Sequence, residues 1–215
     1  DAEIALVISS KENAYGLERA RIANIKAEYI KDQSLILSRL EEEGIDLIVL
    51  AGYLSIISEE LINKYQNKII NIHPSLIPSF SGPGYYGLRV HKKVFERGVK
   101  VSGATVHFVS SEVDGGPIIL QRAIDISDCK SPEEIQEKIL INIEHKILKE
   151  AVKLFVENKL KVINERVEIY EKSIDAFKNR ETVVKALCLH IAHDCNLACK
   201  YCFAEEGEYH GRRAL

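Results

Sequence analysis

Short, continuously apolar runs alternate with helical stretches along the first part of the chain. The runs IALVIS (4–9), IDLIVLAGY (45–53) and KIINIHP (68–74) are rich in β-branched residues. Such runs are typical of strands that are buried on both faces of a parallel sheet. Between them lie GLERARIAN, then QSLILSRLEEEG with a helix stop at Gly44, then EELINKY with Ser58 as its cap. The alternation predicts a doubly wound, Rossmann-like α/β fold with a mostly parallel sheet.

The pattern changes after Pro74. SLIPSFSGPGYYG (75–87) is a loop rich in Pro, Gly and Ser, and its length suits a binding loop. GATVHFVS (103–110) and PIILQRAI (117–124) predict two strands that the turn SEVDGG connects. Ser131, Pro132 and Glu134 form the pattern of a helix start, and the helical stretch that follows continues to about residue 159.

The α/β alternation ends near residue 168, so we expect two units, 1–168 and 169–215. The second unit is too short to bury a core without a metal or a partner. We therefore expect it to pack poorly against the first unit and to add little to its stability.

Composition excludes several classes of function. Hydrophobic residues make up 46% of the 215 residues, charged residues 28%, and the formal net charge is -3. This balance does not suit a nucleic-acid binder, and the apolar runs are too short to cross a membrane. The opening DAEIALVIS does not resemble a signal peptide. We expect a cytoplasmic protein that acts on small molecules.

Asn71, His73 and Asp114 are the first candidates for chemistry. Asn71 and His73 are two residues apart at the end of a predicted strand, so their side chains point to the same side. An amide donor beside an imidazole can stabilise an oxyanion and move a proton, as acyl transfer requires. Asp114 is placed to hold the imidazole in its charged form. Taken singly, a His before Pro and an Asp before two glycines are more often ordinary turn residues.

Together with their surroundings, these residues resemble a known family. NIHPSLIPSFSG (71–82), GATVHFVSSEVDGGPIILQ (103–121) and AYGLERA (14–20) look like the phosphoribosylglycinamide formyltransferases. Those enzymes of purine synthesis move a formyl group from 10-formyltetrahydrofolate to the amine of glycinamide ribonucleotide. The resemblance covers roughly residues 1–168. It implies that Asn71 stabilises the oxyanion, that His73 is the general acid and that Asp114 keeps His73 charged.

The resemblance also implies binding residues. The folate pocket would be lined by Leu54, Ser55, Ile56 and Ile57, and Ser55 stands where many members carry Arg. Glu144 falls where the family contacts the ribose of the nucleotide, although a solvated helix position is nearly as good an interpretation. The family begins with one more strand and a Gly-Ser-Asn phosphate loop, which this sequence lacks. We therefore expect measurable binding of a folate analogue but poor turnover of the nucleotide.

Cysteines suggest a second kind of chemistry. Four of the five cysteines fall between Cys188 and Cys202, which is not the distribution of a disulfide framework. Cys195, Cys199 and Cys202 have the spacing of radical S-adenosylmethionine enzymes, in which three thiolates hold a [4Fe-4S] cluster. A zinc knuckle that uses His190 or His193, or free thiols, are the alternatives.

The sequence from residue 186 to the end resembles the early part of maturases that form thioether links in cysteine-rich peptides. It predicts an incomplete radical S-adenosylmethionine segment with such a peptide as its partner. Three other functions stay open: a formyltransferase acting on another amine such as methionyl-tRNA, an iron-sulfur protein with a passive scaffold, and an inert fragment.

Overall fold

The computed structural model describes residues 2–171 and 184–190. These residues form a seven-stranded sheet and a separate two-stranded hairpin. The strands of the large sheet are β1 Ala2–Ser9, β2 Lys26–Tyr29, β3 Leu47–Ala51, β4 Ile69–His73, β5 Val101–Phe108, β6 Ile118–Asp125 and β9 Val184–His190. The hairpin consists of β7 Leu160–Ile163 and β8 Arg166–Ile169.

The strand order is β2-β1-β9-β3-β4-β5-β6. β1, β2, β9, β3 and β4 are mutually parallel, β5 is antiparallel to β4, and β6 is antiparallel to β5. Six of these seven strands therefore run in one direction. The predicted doubly wound, mostly parallel α/β fold is confirmed.

Helices cover both faces of the sheet. They are α1 Tyr15–Ile22, α2 Ser34–Glu43, α3 Glu59–Lys64, α4 Leu88–Glu96, α5 Pro132–Ile139 and α6 His145–Val156, with a π-helical turn, Leu140–Glu144, between α5 and α6. None of the helices in residues 2–171 is both long and apolar enough to cross a lipid bilayer.

Local capping chemistry explains where two of these helices begin. The Ser58 hydroxyl accepts a hydrogen bond from the N–H of Leu61 at 3.3 Å, and Ser131 does the same for Glu134 at 3.1 Å. Pro132 occupies the first turn of α5, where its missing N–H costs nothing. Both predicted helix starts are confirmed.

The core has one layer on each side of the sheet. On one side, α2 and α3 cover the strands through Ile36, Leu40 and Leu61. On the other side, α4, α5 and α6 pack against the strands that include β3, β5 and β6. Successive side chains of a strand point to opposite faces, so alternate residues of each strand pack in different layers.

Strand β9 contradicts, for residues 184–190, the expectation that the second unit packs poorly. It lies in the middle of the sheet, parallel to β1 and to β3, and Leu187 is fully buried. The prediction failed because it treated the short segment as needing its own core, whereas this strand joins the core of residues 2–171. The division of the chain at residue 168 into two functional units stays a prediction.

Candidate active site

The site begins with the alternation of side chains on β4 and β5. Asn71 pairs with His107 and His73 pairs with Thr105 across these antiparallel strands. Because directly opposed residues point to the same face, the four side chains share one face. Ile69, two residues before Asn71 on β4, points to the same face of the sheet, and its side chain packs in the layer beneath α2 and α3. The four polar side chains therefore lie on the side of the sheet that α2 and α3 cover.

Asp114 reaches this face from the turn between β5 and β6. Its Oδ2 lies 3.4 Å from Nδ1 of His73, and its Oδ1 lies 3.7 Å from Nε2 of His107. The N–H of Gly82, in the loop after β4, donates to Oδ2 at 2.9 Å. The predicted meeting of Asn71, His73 and Asp114 is therefore observed.

His107 is a member of the cluster that the sequence analysis missed. Its Nδ1–H donates to the carbonyl of Phe108 at 2.9 Å, so Nε2 carries the lone pair when the ring is neutral. The Asn71 Nδ2 lies 3.1 Å from that atom and donates to it. This hydrogen bond uses one N–H of the Asn71 amide, so the second N–H can donate to another acceptor. Only the register of β4 against β5 reveals this pairing, although HFV was part of the motif that carried the family resemblance.

His73 is buried between two acceptors. Its Nε2–H donates to the carbonyl of Phe80 at 2.9 Å, while Nδ1 faces the Asp114 carboxylate. Burial lowers the pKa of His73, and this effect exceeds the upward effects of Asp114 and of the Phe80 carbonyl. Asp114 thus acts on His73 in the expected direction, but burial outweighs it in the free protein, and the role of Asp114 stays a prediction. A proton gained on Nδ1 would nevertheless meet a carboxylate.

Asp114 keeps its charge despite its burial. Burial alone raises the pKa of its carboxyl, but the contact with His107, the attraction to His73 when that ring is protonated and the N–H of Gly82 outweigh it and lower the pKa overall. The cluster therefore combines a stable carboxylate with an imidazole that rests neutral.

Buried hydrogen bonds fix the loop over this face. The Thr105 hydroxyl donates to the carbonyl of Ser75 at 2.6 Å and accepts from the N–H of Ile77 at 3.2 Å. The Gln121 amide donates to Thr105 at 2.8 Å and to the carbonyl of Ile77 at 3.0 Å. Since Thr105 is fully buried, these bonds hold the loop that carries Phe80 and Gly82 in one position.

The predicted folate residues lie in the loop after β3, two residues beyond its end. Leu54 is 40% exposed and Ile56 is 78% exposed, whereas Ile57 is buried. The Gln33 side chain donates to the carbonyl of Ile56 at 2.8 Å. The Ser55 side chain is hydrogen-bonded to Tyr53, and burial raises the pKa of the Tyr53 phenol. The exposed Ile56 side chain, on a segment that the Gln33 hydrogen bond holds in place, offers an apolar contact surface near the carboxyl end of β3.

Glu144 closes the π-helical turn ahead of α6. Such turns interrupt regular helices and are frequent at functional sites. Burial raises the pKa of the Glu144 carboxyl to about 7. The residue itself is half-buried.

Cys195, Cys199 and Cys202 lie outside the described residues. Within 2–171 and 184–190, no group of three His, Cys, Asp or Glu side chains could hold a metal ion. Cys188, on β9, is buried.

Fold and cluster together define an α/β protein equipped for acyl transfer, with an amide donor, an imidazole and a carboxylate in contact. Comparison with known protein families shows the family to which the chain belongs. The model of the formyl transferase family matches residues 1–152, and the chain belongs to that family.

Individual relatives agree with this assignment. Phosphoribosylglycinamide formyltransferase of Haemophilus influenzae is 38% identical over 170 residues, which cover 75% of the chain and 77% of that protein. The chloroplastic phosphoribosylglycinamide formyltransferase of Arabidopsis thaliana is 36% identical over 75% of the chain, which spans only 58% of that relative's length. The crystal structure of glycinamide ribonucleotide transformylase 1 from Symbiobacterium toebii superposes with a TM-score of 0.73 at 39% identity, covering 79% of the chain and 81% of that structure.

Proposed function

We propose that this chain transfers the formyl group of 10-formyltetrahydrofolate to the amine of glycinamide ribonucleotide, in purine synthesis and in the cytoplasm. The observation that carries the proposal is the contact of His73 with Asp114, beside the Asn71 and His107 pair, in a member of the formyl transferase family. Relatives that carry this activity in their names support the choice of substrates.

Asn71 is the oxyanion donor in this proposal. Attack of the amine on the formyl carbon breaks the carbonyl π bond and places negative charge on the formyl oxygen. One N–H of Asn71 is already held by His107, so the amide is oriented before the substrate arrives. The other N–H can then donate to the developing charge without reorganisation, which is the source of its catalytic effect.

His73 moves the proton. The amine loses one proton as its new bond to the formyl carbon forms, and N10 of the folate gains one as the old bond breaks. His73 rests neutral because burial lowers its pKa, so it can take up the first proton and deliver the second. The Asp114 carboxylate stabilises the imidazolium between the two events, and His73 ends as it began.

The two substrates are assigned to separate surfaces. The folate would lie against residues 54–57, where the exposed Ile56 offers apolar contact. Glu144 would accept hydrogen bonds from the ribose hydroxyls of the nucleotide. Because the carboxyl is already partly protonated near neutral pH, a hydroxyl donor would favour its charged form.

A formyl-transfer assay with both substrates tests the proposal. We expect slow but measurable formylation of the nucleotide by the full chain, and a further loss of 100-fold or more in kcat for His73→Ala and for Asn71→Ala. Lys92→Ala, at an exposed position of α4, is the control and should keep full activity. Absence of formylated nucleotide with the unaltered chain would reject the proposal.

Two other acceptors must be tested in the same assay. Methionyl-tRNA replaces the nucleotide in one arm, and the folate alone is incubated in another arm to detect formate released by water. Faster formylation of methionyl-tRNA, or formate release at the full rate without an amine, would assign a different acceptor to the same cluster.

The cysteine pattern supports a separate proposal. We infer from the spacing of Cys195, Cys199 and Cys202 that these thiolates can hold a [4Fe-4S] cluster with an open iron for S-adenosylmethionine, with a cysteine-rich peptide as the substrate. Anaerobic reconstitution with iron and sulfide tests it. About four irons per chain and a visible charge-transfer band are expected, and both should disappear when the three cysteines are replaced by alanine.

A further inference from the structure

Strand β9 fills a slot one strand wide between β1 and β3. It pairs with β1 from Ala2 to Ile8 and with β3 from Leu47 to Ala51. β1 and β3 are not neighbours in the sheet. Because adjacent strands lie about 4.8 Å apart, β1 and β3 are about 10 Å apart, too far for a ladder hydrogen bond.

The strand also completes the core on both faces of the sheet. Leu187 packs in the layer under α2 and α3, and Ala186 packs in the layer under α4, α5 and α6. Cys188 contacts the small cluster that holds α1. An empty slot would open both layers and leave two facing strand edges with unpaired backbone groups.

The beginning of β9 is fixed to the turn that precedes β3. The N–H of Lys185 donates to the Asp46 carboxylate at 3.2 Å, and the N–H of Asp46 donates to the Lys185 carbonyl at 2.8 Å. The Lys185 ammonium donates to the carbonyl of Glu43 at 3.2 Å, at the end of α2. A cation at the carboxyl end of a helix is stabilised by the helix dipole, so these contacts favour one register.

We propose that residues 184–190 are a complementing strand, which non-covalent pairing holds in its slot, and that the formyl-transfer site forms only when the slot is filled. The partner that the slot accepts is a short parallel strand with small or aliphatic side chains on both faces. Its occupant is the β9 of the same chain.

The second half of this proposal rests on the proposed function. Ala51 pairs with His190 and lies three residues before the segment assigned to folate. β3 in turn pairs with β4, which carries Asn71 and His73. Loss of β9 would therefore release the strand that positions both parts of the site.

Cleavage of the full chain tests how the strand is held. A protease recognition site is inserted within residues 172–183, and the folded protein is cut. We expect the two pieces to co-elute in size-exclusion chromatography, to separate only in denaturant, and to melt within a few degrees of the uncut chain. If the C-terminal piece elutes alone and the rest keeps its melting temperature, the proposal is wrong.

A matched pair of substitutions tests the slot in the uncut chain. Leu187→Asp places a charge at a fully buried position, whereas Leu35→Asp places it on α2 at a residue that is 55% exposed. We expect the first to lower the melting temperature by about 10 °C or more and the second to change it by less than about 2 °C. Equal melting temperatures would contradict the proposal.

Peptide exchange remains informative if Leu187→Asp does not fold. A labelled peptide of residues 183–191, in excess over the cut protein, should replace the bound strand with saturable kinetics, and the same peptide with Leu187→Asp should not. Absence of exchange even after mild denaturant treatment and refolding would contradict a strand held non-covalently. Full formyl transfer after removal of the strand would contradict its role in the site.

These readouts separate the two proposals. Co-elution and peptide exchange do not depend on activity. An uncut chain that holds its strand but transfers no formyl group would reject the proposed function alone.

Discussion

The side-chain nitrogen of Asn71 lies 3.1 Å from Nε2 of His107, across the antiparallel pair β4 and β5. The Nδ1–H of His107 is held by the carbonyl of Phe108, so the ring offers Asn71 an acceptor in a fixed position. The amide is thereby oriented with its nitrogen toward His107 rather than its oxygen. A residue with no assigned chemistry of its own thus determines how the amide proposed as the oxyanion donor points.

Replacement of His107 should reduce kcat with little effect on the KM for the folate. His107→Leu removes the acceptor, so the Asn71 amide is free to rotate and loses its preorganised geometry. We expect a decrease of roughly 10- to 100-fold in kcat, or about 1.4 to 2.7 kcal/mol of transition-state stabilisation. Steady-state kinetics with both substrates measure it.

A double-variant cycle distinguishes orientation from a direct role. If His107 acts through Asn71, His107→Leu should cost little more in a chain that already carries Asn71→Ala. Fully additive losses would mean that His107 contacts the reacting groups independently.

Thr105 should be critical for the position of the loop after β4. Thr105→Val removes a fully buried hydroxyl that binds Ser75, Ile77 and Gln121, and it leaves their polar groups without that partner. We expect a loss of about 2 to 3 kcal/mol in the free energy of unfolding, measured in urea. Thr105→Ser keeps the hydroxyl and should retain most of the stability. Equal losses in the two variants would show that the methyl group, not the hydrogen bonding, matters at this position.

Short-range patterns predicted the parts of the fold that depend on neighbours in sequence. The apolar runs of β3 and β4 and the caps Ser58 and Ser131 belong to this group. So does the shared face of Asn71 and His73. β2, with the sequence KAEY, was missed because it is a short polar strand at the edge of the sheet.

Long-range pairing accounts for what the sequence could not predict. The position of β9 depends on Ala2 meeting Val184, and the role of His107 depends on the register of β5 against β4. The resting state of His73 depends on how deeply the folded protein buries it. Each of these properties arises only when distant segments pack together.

His91 should make the protein less stable in acid. Neither of its ring nitrogens has a hydrogen-bond partner among the described residues. Burial lowers its pKa from 6.5 to about 4, and repulsion by His73, when that ring is protonated, acts in the same direction. Between these values the unfolded chain binds the proton and the folded protein does not, so stability falls as the pH drops. The contribution is about 3 kcal/mol. By urea unfolding, the stability at pH 4.5 relative to that at pH 7.5 should be higher in His91→Leu than in Lys92→Gln by about this amount.

Glu144 should have the opposite pH dependence. Burial raises the pKa of its carboxyl from 4.5 to about 7, so the folded protein holds a proton that the unfolded chain releases. Stability therefore falls as the pH rises through this range, by about 3 kcal/mol. The two groups offset each other in the unaltered chain. Glu144→Gln should consequently reveal a steeper rise of stability from pH 4.5 to 6.5, by urea unfolding, and an unchanged profile would mean that the carboxyl is ionised in the folded protein.

Gly116 should be required for the position of Asp114. A Cβ atom at Gly116 would lie 1.9 Å from the carbonyl oxygen of Phe108, a backbone atom that cannot move alone. Gly116→Ala must therefore displace the turn that carries Asp114, two residues earlier. We expect a loss of about 1 to 3 kcal/mol in the free energy of unfolding and a decrease of roughly tenfold or more in kcat, because Asp114 moves away from His73.

Gly84→Ala is the matched control for this substitution. Gly84 lies in the loop after β4 with a φ of +91°, and a Cβ there would meet no atom within 4 Å. It should suffer backbone strain of about 1 to 2 kcal/mol without displacing Asp114, and kcat should stay close to that of the unaltered chain. Equal kcat values for the two variants would mean that the turn accommodates the added methyl group without moving the Asp114 carboxylate. In that case the contacts with the Gly82 N–H and the two histidines, rather than Gly116, would fix the position of Asp114.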